Sequence, residues 1–131
     1  AIAAARGLGL GWGVPVRGVS SLALVAAGRD DAALTVAVEG GHGEIFVQDF
    51  VGAPFAEAGA IRSLTPEAAG GSCLNPMVIG SGAERLVVAR GFGEAIAGEA
   101  RAANVRLLPD VALLPAPRPV YGRGADARPM P

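Results

Sequence analysis

A polypeptide of 131 residues with 51% hydrophobic side chains is long and apolar enough to fold as one domain around its own core. The formal net charge of −1 gives no electrostatic reason to expect nucleic-acid binding by this chain. All 11 basic residues are arginine, which excludes a Walker A loop, and the single cysteine and single histidine exclude an internal disulfide and a Cys/His zinc cluster.

The first predicted element is an apolar helix from Ala1 to Trp12. No Ser, Thr, Asp or Asn precedes it to cap the free amide groups of its first turn, so we expect an upstream segment, with the amino-terminal part missing from this sequence. A short strand is predicted over Val16–Val19. A second helix follows, capped by Ser20 or Ser21 and running to about Ala27.

A hairpin is predicted next, with strands over Leu34–Glu39 and Glu44–Phe50 joined by a glycine-rich turn at 40–43. The first strand places Leu34 and every second residue after it on one face. The second strand carries apolar side chains on both faces, which favours a sheet that is covered on both sides.

The later part of the chain gives four further predictions. Thr65 is expected to cap a short helix that begins at Pro66. Met77–Ile79 is a short buried strand, and Arg85–Arg90 is interpreted as a further strand. The strongest helical pattern covers Phe92–Asn104.

The residue types that carry acid–base and nucleophilic chemistry are poorly placed for it. His42 lies among three glycines at the predicted hairpin tip, where a surface turn is the favoured interpretation. Cys73 has no base near it in sequence and is interpreted as a loop or core residue. The adjacent pair Asp30 and Asp31 is expected to be solvated. No catalytic residue, metal site or cofactor is therefore predicted.

Glycine patterns leave one alternative open. The alternating glycines from Gly7 to Gly13 fit no dinucleotide-binding spacing and indicate close helix packing instead. Gly80, Ser81 and Gly82 follow a strand and precede a possible helix start, which is where phosphate-binding amides are found. An ordinary strand-to-helix turn is the preferred interpretation, and nucleotide binding is the alternative.

Four stretches, in order along the chain, resemble the TsaB family of bacterial tRNA-modification proteins. They are AAARGLGLGWGVPVRGVSSL at 3–22, EGGHGEIF at 39–46, VIGSGA at 78–83, and PVYGRGADARP at 119–129, which is similar to a Pro-x-Tyr-x-Arg-x-x-Asp-Ala-(Lys/Arg)-Pro ending. The resemblance implies an α/β fold, namely one actin-like (ribonuclease-H-like) half with a mixed sheet flanked by helices.

The same resemblance divides the chain into three ranges. Residues 1–19 correspond to the end of an amino-terminal actin-like subdomain, 20–114 to a carboxyl-terminal α/β subdomain, and 115–131 to a proline-rich extended tail. The family has a further helix just before the position of Pro115, where this chain continues directly into the tail. We predict that the tail docks on the body through Tyr121, Arg123 and Asp126.

The resemblance also implies a role. TsaB-like proteins are non-catalytic scaffolds that bind the catalytic subunit TsaD in the synthesis of threonylcarbamoyladenosine at tRNA adenosine 37, together with the ATPase TsaE. The implied contact with tRNA is indirect, and a homodimer is possible. The implied partner contact uses amino-terminal helices, so Ile2, Ala5, Arg6 and Gly9 are the candidate interface residues, with packing inside the protein as the alternative.

Two rival functions stay open at this point. One is a glycoprotease-like hydrolase or acyltransferase, and the other is a nucleotide-binding regulatory domain that uses the turn at 80–82. No apolar run approaches the ~18 residues that span a membrane. The cysteine content is typical of a reduced, cytoplasmic protein, which is the location we expect.

Overall fold

A computed structural model describes residues 2–52, 55–115 and 117 of the chain. The described α-helices are α1 (Ile2–Trp12), α2 (Ser21–Ala26), α3 (Pro66–Ser72) and α4 (Ala83–Arg90). The described strands are β1 (Gly18–Val19), β2 (Leu34–Gly41), β3 (Glu44–Gly52), β4 (Phe55–Glu57), β5 (Arg62–Leu64), β6 (Met77–Ile79), β7 (Glu94–Ile96) and β8 (Leu113–Leu114). Two short 3-10 helices, Ala102–Leu107 and Asp110–Ala112, precede β8.

A mixed sheet forms the centre of the described part of the chain. Its hydrogen-bonded order is β4–β3–β2–β6–β7, and β5 also pairs with β3. β3 is antiparallel to β2, β4 and β5, whereas β6 is parallel to β2 and β7 is parallel to β6. The sheet therefore joins an antiparallel meander to a parallel pair, and α4 forms the crossover between β6 and β7.

Apolar side chains cover both faces of this sheet, because successive residues of a strand point to opposite sides. One face packs against α2, and the α2-side core contains Leu22, Ala23, Val25, Ala26, Leu34, Val36, Phe50, Ile79 and Leu108. The other face packs against α3 and α4, and the α4-side core contains Ala37, Ile45, Val47, Ala69, Cys73, Val78, Ala83 and Leu86. The predicted α/β class, with a mixed sheet flanked by helices, is confirmed.

The β2–β3 hairpin confirms both strands that the alternating pattern predicts. Leu34 lies opposite Phe50 and Glu39 lies opposite Ile45, so the register continues through the predicted segments. Both strands extend two residues further than predicted, to Gly41 and Gly52. The predicted start of α3 is also confirmed, since the Thr65 hydroxyl accepts a hydrogen bond from the Ala68 amide at 3.2 Å.

The predicted strand Arg85–Arg90 is wrong, since these residues belong to α4. Gly82 precedes the helix, and Gly91 ends it in the left-handed conformation with φ 78°. Leu86 is fully buried on the α4-side core, whereas Val88 is exposed. The β-branched valines favour a strand locally, but the burial of one helical face decides the outcome.

The predicted helix Phe92–Asn104 is wrong as well. Glu94–Ile96 is β7, which extends the sheet beside β6, and only the last residues of the segment are helical, in the 3-10 helix Ala102–Leu107. The Gly93 backbone has φ 96°, a value that does not occur in an α-helix. Pairing with β6 and packing of Ile96 against the α2-side core therefore outweigh the helical spacing.

Arg90 links the end of α4 to the loop before β6. Its guanidinium donates to the carbonyl oxygens of Cys73 at 2.6 Å and Asn75 at 2.7 Å, and it lies 4.2 Å from the centre of the Phe92 ring. Partial burial lowers the pKa of Arg90 from its ordinary value, because the charged form loses hydration there. The side chain holds the α3–β6 loop against α4.

A separate two-stranded ribbon lies beside the sheet. β1 and β8 are antiparallel, with Gly18 opposite Leu114 and Val19 opposite Leu113, and the ribbon shares no strand with the larger sheet. β1 is shorter than the predicted strand Val16–Val19. The three predicted ranges 1–19, 20–114 and 115–131 stay predictions.

The turn between α2 and β2 contains an ion pair that makes stability depend on acidity. Asp31 accepts from the Arg29 guanidinium at 2.7 and 3.2 Å, and this interaction holds the pKa of Asp31 below its ordinary 3.8. A lowered native pKa stabilises the fold above pH 3.8, and the contribution is lost as the pH falls through the native pKa. We expect Asp31→Asn to lower the free energy of unfolding by up to about 1 kcal/mol at pH 7, and by much less near pH 2.

Denaturant titrations of Asp31→Asn at several pH values measure this effect. Asp30→Asn is the matched control, since Asp30 is exposed and forms no ion pair with the residues that the structure describes. An equal pH dependence for the two variants would contradict the assigned role of the Arg29–Asp31 pair.

Candidate partner-binding surface

Helix α1 carries the four residues that the sequence analysis nominates for a partner. Ile2 and Ala5 are half-buried, and Gly9 is buried. A methyl group at Gly9 would lie 2.3 Å from Cγ2 of Val16, because the chain turns back over the helix after Trp12. Gly9 is therefore used for packing inside the chain and is not accessible to a partner.

Arg6 is also engaged within the chain. Its guanidinium donates to the carbonyl oxygen of Pro117, which lies 111 residues away in sequence. The burial of Gly9 agrees with the alternative interpretation, in which this face of α1 packs on the protein itself, whereas Arg6 is exposed. The interface role of the four nominated residues stays a prediction.

The exposed apolar side chains of α1 and the turn after it form a different surface. Leu8 is 51% exposed, Leu10 86%, Trp12 71% and Val14 50%. Leu8 and Trp12 are four residues apart and share one side of the helix, whereas Leu10 lies on the other side. We call these four residues the α1 apolar surface.

The α1 apolar surface suits a protein interface better than a catalytic role. A tryptophan and a leucine exposed on one side of a helix, as Trp12 and Leu8 are, suit the centre of an interface, where aromatic anchors contribute most of the binding free energy. Sequence analysis missed these residues because it chose Ile2, Ala5, Arg6 and Gly9 of the same helix instead. The available signal was the i, i+4 spacing of Leu8 and Trp12 in a helix with a single charged residue.

Both glycine amides of the turn at 80–82 donate hydrogen bonds within the chain. The Gly80 amide donates to the Ile96 carbonyl at 3.0 Å, and the Gly82 amide donates to the Ala37 carbonyl at 2.9 Å. The Ser81 hydroxyl accepts from the Glu39 amide at 3.0 Å. These groups connect β6 to β2 and β7, so the arrangement corresponds to the ordinary strand-to-helix turn and does not present these amides to a phosphate.

His42 and Cys73 are placed apart from each other. His42 is exposed at the tip of the β2–β3 hairpin, with φ 54°. Cys73 is fully buried in the α4-side core, where Arg62 donates to its sulfur at 3.5 Å. Within the described residues, no three His, Cys, Asp or Glu side chains are grouped to hold a metal ion.

The residues predicted to dock the tail, Tyr121, Arg123 and Asp126, lie outside the described residues. None of the described helices has the length and apolar character needed to span a bilayer.

Comparison with known proteins shows a structural likeness. No protein-family model and no curated protein matches the chain. The described fold is similar to a crystal structure described as an uncharacterized protein with similarity to peptidase YeaZ, from Pseudomonas aeruginosa, with a TM-score of 0.59 and 20% sequence identity. The match covers 81% of this chain and 55% of that chain, so this chain spans about half the length of that protein. The expected ribonuclease-H-like fold is consistent with this likeness.

Proposed function

We propose that this chain is a TsaB-like, non-catalytic scaffold that supports threonylcarbamoyladenosine synthesis at tRNA adenosine 37 by binding a TsaD-like catalytic subunit. A TsaE-like ATPase would join the same assembly, tRNA would be contacted through the catalytic subunit, and the location would be cytoplasmic. The observation that carries the proposal is the α1 apolar surface on a fold similar to a YeaZ-like structure.

The fold supports the family part of the proposal. YeaZ belongs to the TsaB family, and the likeness extends over most of the described chain. The four sequence stretches that resemble the TsaB family lie at 3–22, 39–46, 78–83 and 119–129. In the structure the second forms the β2–β3 hairpin and the third forms the β6–α4 turn, which lie side by side in the sheet.

The α1 apolar surface supports the scaffold part. Binding a partner would remove Leu8 and Trp12 from water, and full burial of side chains of this size contributes on the order of 2 kcal/mol each. A helix that exposes apolar side chains on both sides can pack against another helix through ridges and grooves.

The two rival functions receive less support from side-chain placement. A hydrolase or acyltransferase that used His42 or Cys73 would need that side chain in a cleft, but His42 is at an exposed hairpin tip and Cys73 is fully buried. A nucleotide-binding domain would need free amides at the turn 80–82, where Gly80 and Gly82 already donate to carbonyl oxygens.

The test is complex formation between this chain and the TsaD-like subunit of the same organism, measured by size-exclusion chromatography with light scattering. We expect a stoichiometric complex for the unmodified chain. Leu8→Glu combined with Trp12→Glu is expected to weaken binding by about 10- to 100-fold, because charged groups would have to be buried in the interface.

Leu74→Glu is the matched control, since Leu74 is 71% exposed, like Trp12, but lies beyond α3. It is expected to bind as the unmodified chain does. Failure of the unmodified chain to bind would overturn the proposed function, and an equal loss in the control would overturn the assignment to the α1 apolar surface. Reconstituted tRNA modification, measured by nucleoside mass spectrometry, should fall with binding.

A further inference from the structure

A cavity of about 480 Å³ lies between the β1–β8 ribbon and the α2 side of the sheet. Its apolar wall includes the side chains of Ile2, Val19, Leu22, Ile61 and Leu114. The polar groups around it belong to Ser20, Ser21, Gln48 and Glu57. A cavity of this size, with an apolar wall and a few polar groups, is typical of sites that bind small organic molecules.

The Gln48 side chain presents a hydrogen-bond acceptor to this cavity. Gln48 is 5% exposed, and its Nε2 donates to the Gly59 carbonyl at 2.9 Å, whereas its Oε1 accepts no hydrogen bond from the described residues. Among residues 2–52, 55–115 and 117, no side-chain polar atom is both sealed from solvent and without a partner. Oε1 therefore reaches the open space that Gln48 lines, and it fits a ligand that donates a hydrogen bond.

Glu57 places a carboxylate beside this amide. It lies opposite Phe50 in the β3–β4 register, and Gln48 is two residues before Phe50 on β3, so Glu57 and Gln48 are diagonal neighbours on one face of the sheet. Such neighbours lie about 7–8 Å apart, which leaves room for one donor group between two long side chains. The Glu57 carboxylate forms no ion pair or hydrogen bond with any residue that the structure describes.

The charge around the cavity selects the kind of ligand. Glu57 is the only charged side chain among the described residues that line it, so a ligand anion would be repelled. A protonated primary amine carries the opposite charge and three N–H donors, and it can bond Glu57 and Gln48 Oε1 together. Ser20 begins α2 without a side-chain hydrogen bond to the helix, so its hydroxyl is free to contact the same ligand.

We propose that this cavity binds a small organic molecule that carries a protonated primary amine on an apolar body. The ammonium group lies between the Glu57 carboxylate and Gln48 Oε1, where its hydrogen bonds fix the orientation of the ligand. The apolar body packs against Val19, Leu22 and Leu114, and its burial contributes most of the affinity. The inference rests on the cavity alone and is independent of the proposed scaffold function.

Isothermal titration calorimetry of the full chain with phenethylamine tests the ligand class. Phenethyl alcohol is the neutral analogue and phenylpropanoate is the anionic analogue of similar shape. We expect saturable binding of phenethylamine with a dissociation constant of about 0.1–1 mM. Both analogues should bind at least about tenfold more weakly, because neither supplies a cation to the Glu57 carboxylate.

Substitution of Glu57 tests the recognition of charge. Glu57→Gln is expected to weaken phenethylamine binding by about three- to tenfold, since it removes the negative charge and keeps the shape of the side chain. Glu67→Gln is the matched control, because Glu67 is an exposed carboxylate on α3, which packs on the opposite face of the sheet. It should leave the affinity unchanged.

A bulky substitution at the rim tests the location. Ala60 is exposed and lines the cavity, so Ala60→Trp is expected to fill the entrance and to lower phenethylamine affinity by at least about tenfold. Ala89→Trp is the matched control, since Ala89 is exposed on α4 at the opposite face. Far-ultraviolet circular dichroism of each variant should match that of the unmodified chain.

Three results would overturn the proposal. The absence of saturable heat with phenethylamine would show that the cavity takes no amine of this kind. Equal affinities for phenethylamine and phenethyl alcohol would show that the Glu57 and Gln48 groups do not recognise an ammonium. An affinity unchanged by Ala60→Trp would place the bound amine elsewhere, with the α1 apolar surface as the next site to examine. Binding of the TsaD-like subunit is measured separately, so its failure would leave these outcomes unchanged.

Discussion

Replacement of Gly80 by alanine is expected to lower the free energy of unfolding by about 3–5 kcal/mol. Gly80 has φ 129°, which L side chains rarely adopt, and its added methyl group would lie 2.2 Å from the carbonyl oxygen of Ala37 on the neighbouring strand β2. That carbonyl accepts the Gly82 amide at 2.9 Å, so it cannot move without breaking the bond that starts α4. Chemical denaturation followed by circular dichroism measures the loss.

Gly91→Ala is the matched control for this prediction. Gly91 also has a positive φ, 78°, but no atom lies within 4 Å of the position of an added methyl group. Its cost is therefore limited to the backbone strain of about 1–2 kcal/mol. Equal losses for the two variants would show that the contact with Ala37 contributes nothing.

Phe50→Ala is expected to cost about 3–5 kcal/mol, because it removes a fully buried ring from the α2-side core. Phe50 lies opposite Leu34 in the β2–β3 register, and its ring centre is 5.4 Å from that of Phe55 on β4. The substitution leaves a cavity at the point where the hairpin, β4 and α2 meet. The midpoint of urea unfolding should fall while the slope of the transition stays the same.

Phe92→Ala provides the comparison at an exposed site. Phe92 is 46% exposed and its ring contacts the Arg90 guanidinium, so its loss should cost about 0.5–1 kcal/mol. A Phe50→Ala variant that is no less stable than Phe92→Ala would mean that the α2-side core does not support the fold.

Local patterns were sufficient for the elements whose burial alternates in a simple way. The strands around the turn at 40–43 were predicted because one side of β2 is uniformly apolar and glycines permit the reversal. Thr65 and Pro66 predicted the start of α3 because a cap depends on residues adjacent in sequence.

Local patterns failed where a distant partner decided the conformation. Arg85–Arg90 contains two valines that favour a strand, and Phe92–Asn104 has helical spacing, yet the observed structures are α4 and β7. A strand three residues long is stable only because β6 supplies its hydrogen bonds, and that neighbour is not visible in the local pattern.

The candidate partner-binding surface also depends on contacts with distant residues that local patterns do not reveal. The family resemblance implied that α1 would carry a binding face, but Gly9 packs against Val16 and Arg6 donates a hydrogen bond to Pro117 of the same chain. Leu8 and Trp12 are exposed because the rest of the described chain packs against other sides of the helix, which the local sequence does not reveal. A contact between residues 111 positions apart, such as that of Arg6 with Pro117, leaves no pattern in any short stretch of the sequence.

By itself, the sequence determined the central hairpin, the position of His42 in its turn and the start of α3, because these depend on residue type and on neighbours in the chain, whereas the α/β class was implied by the family resemblance. The tertiary structure decided which segments became α4 and β7, which side of α1 stays exposed, and that the Gly80 and Gly82 amides donate to carbonyl oxygens of β7 and β2. The physical reason is that burial and backbone pairing depend on groups brought together from distant parts of the chain, and their free energies exceed the small local preferences for helix or strand.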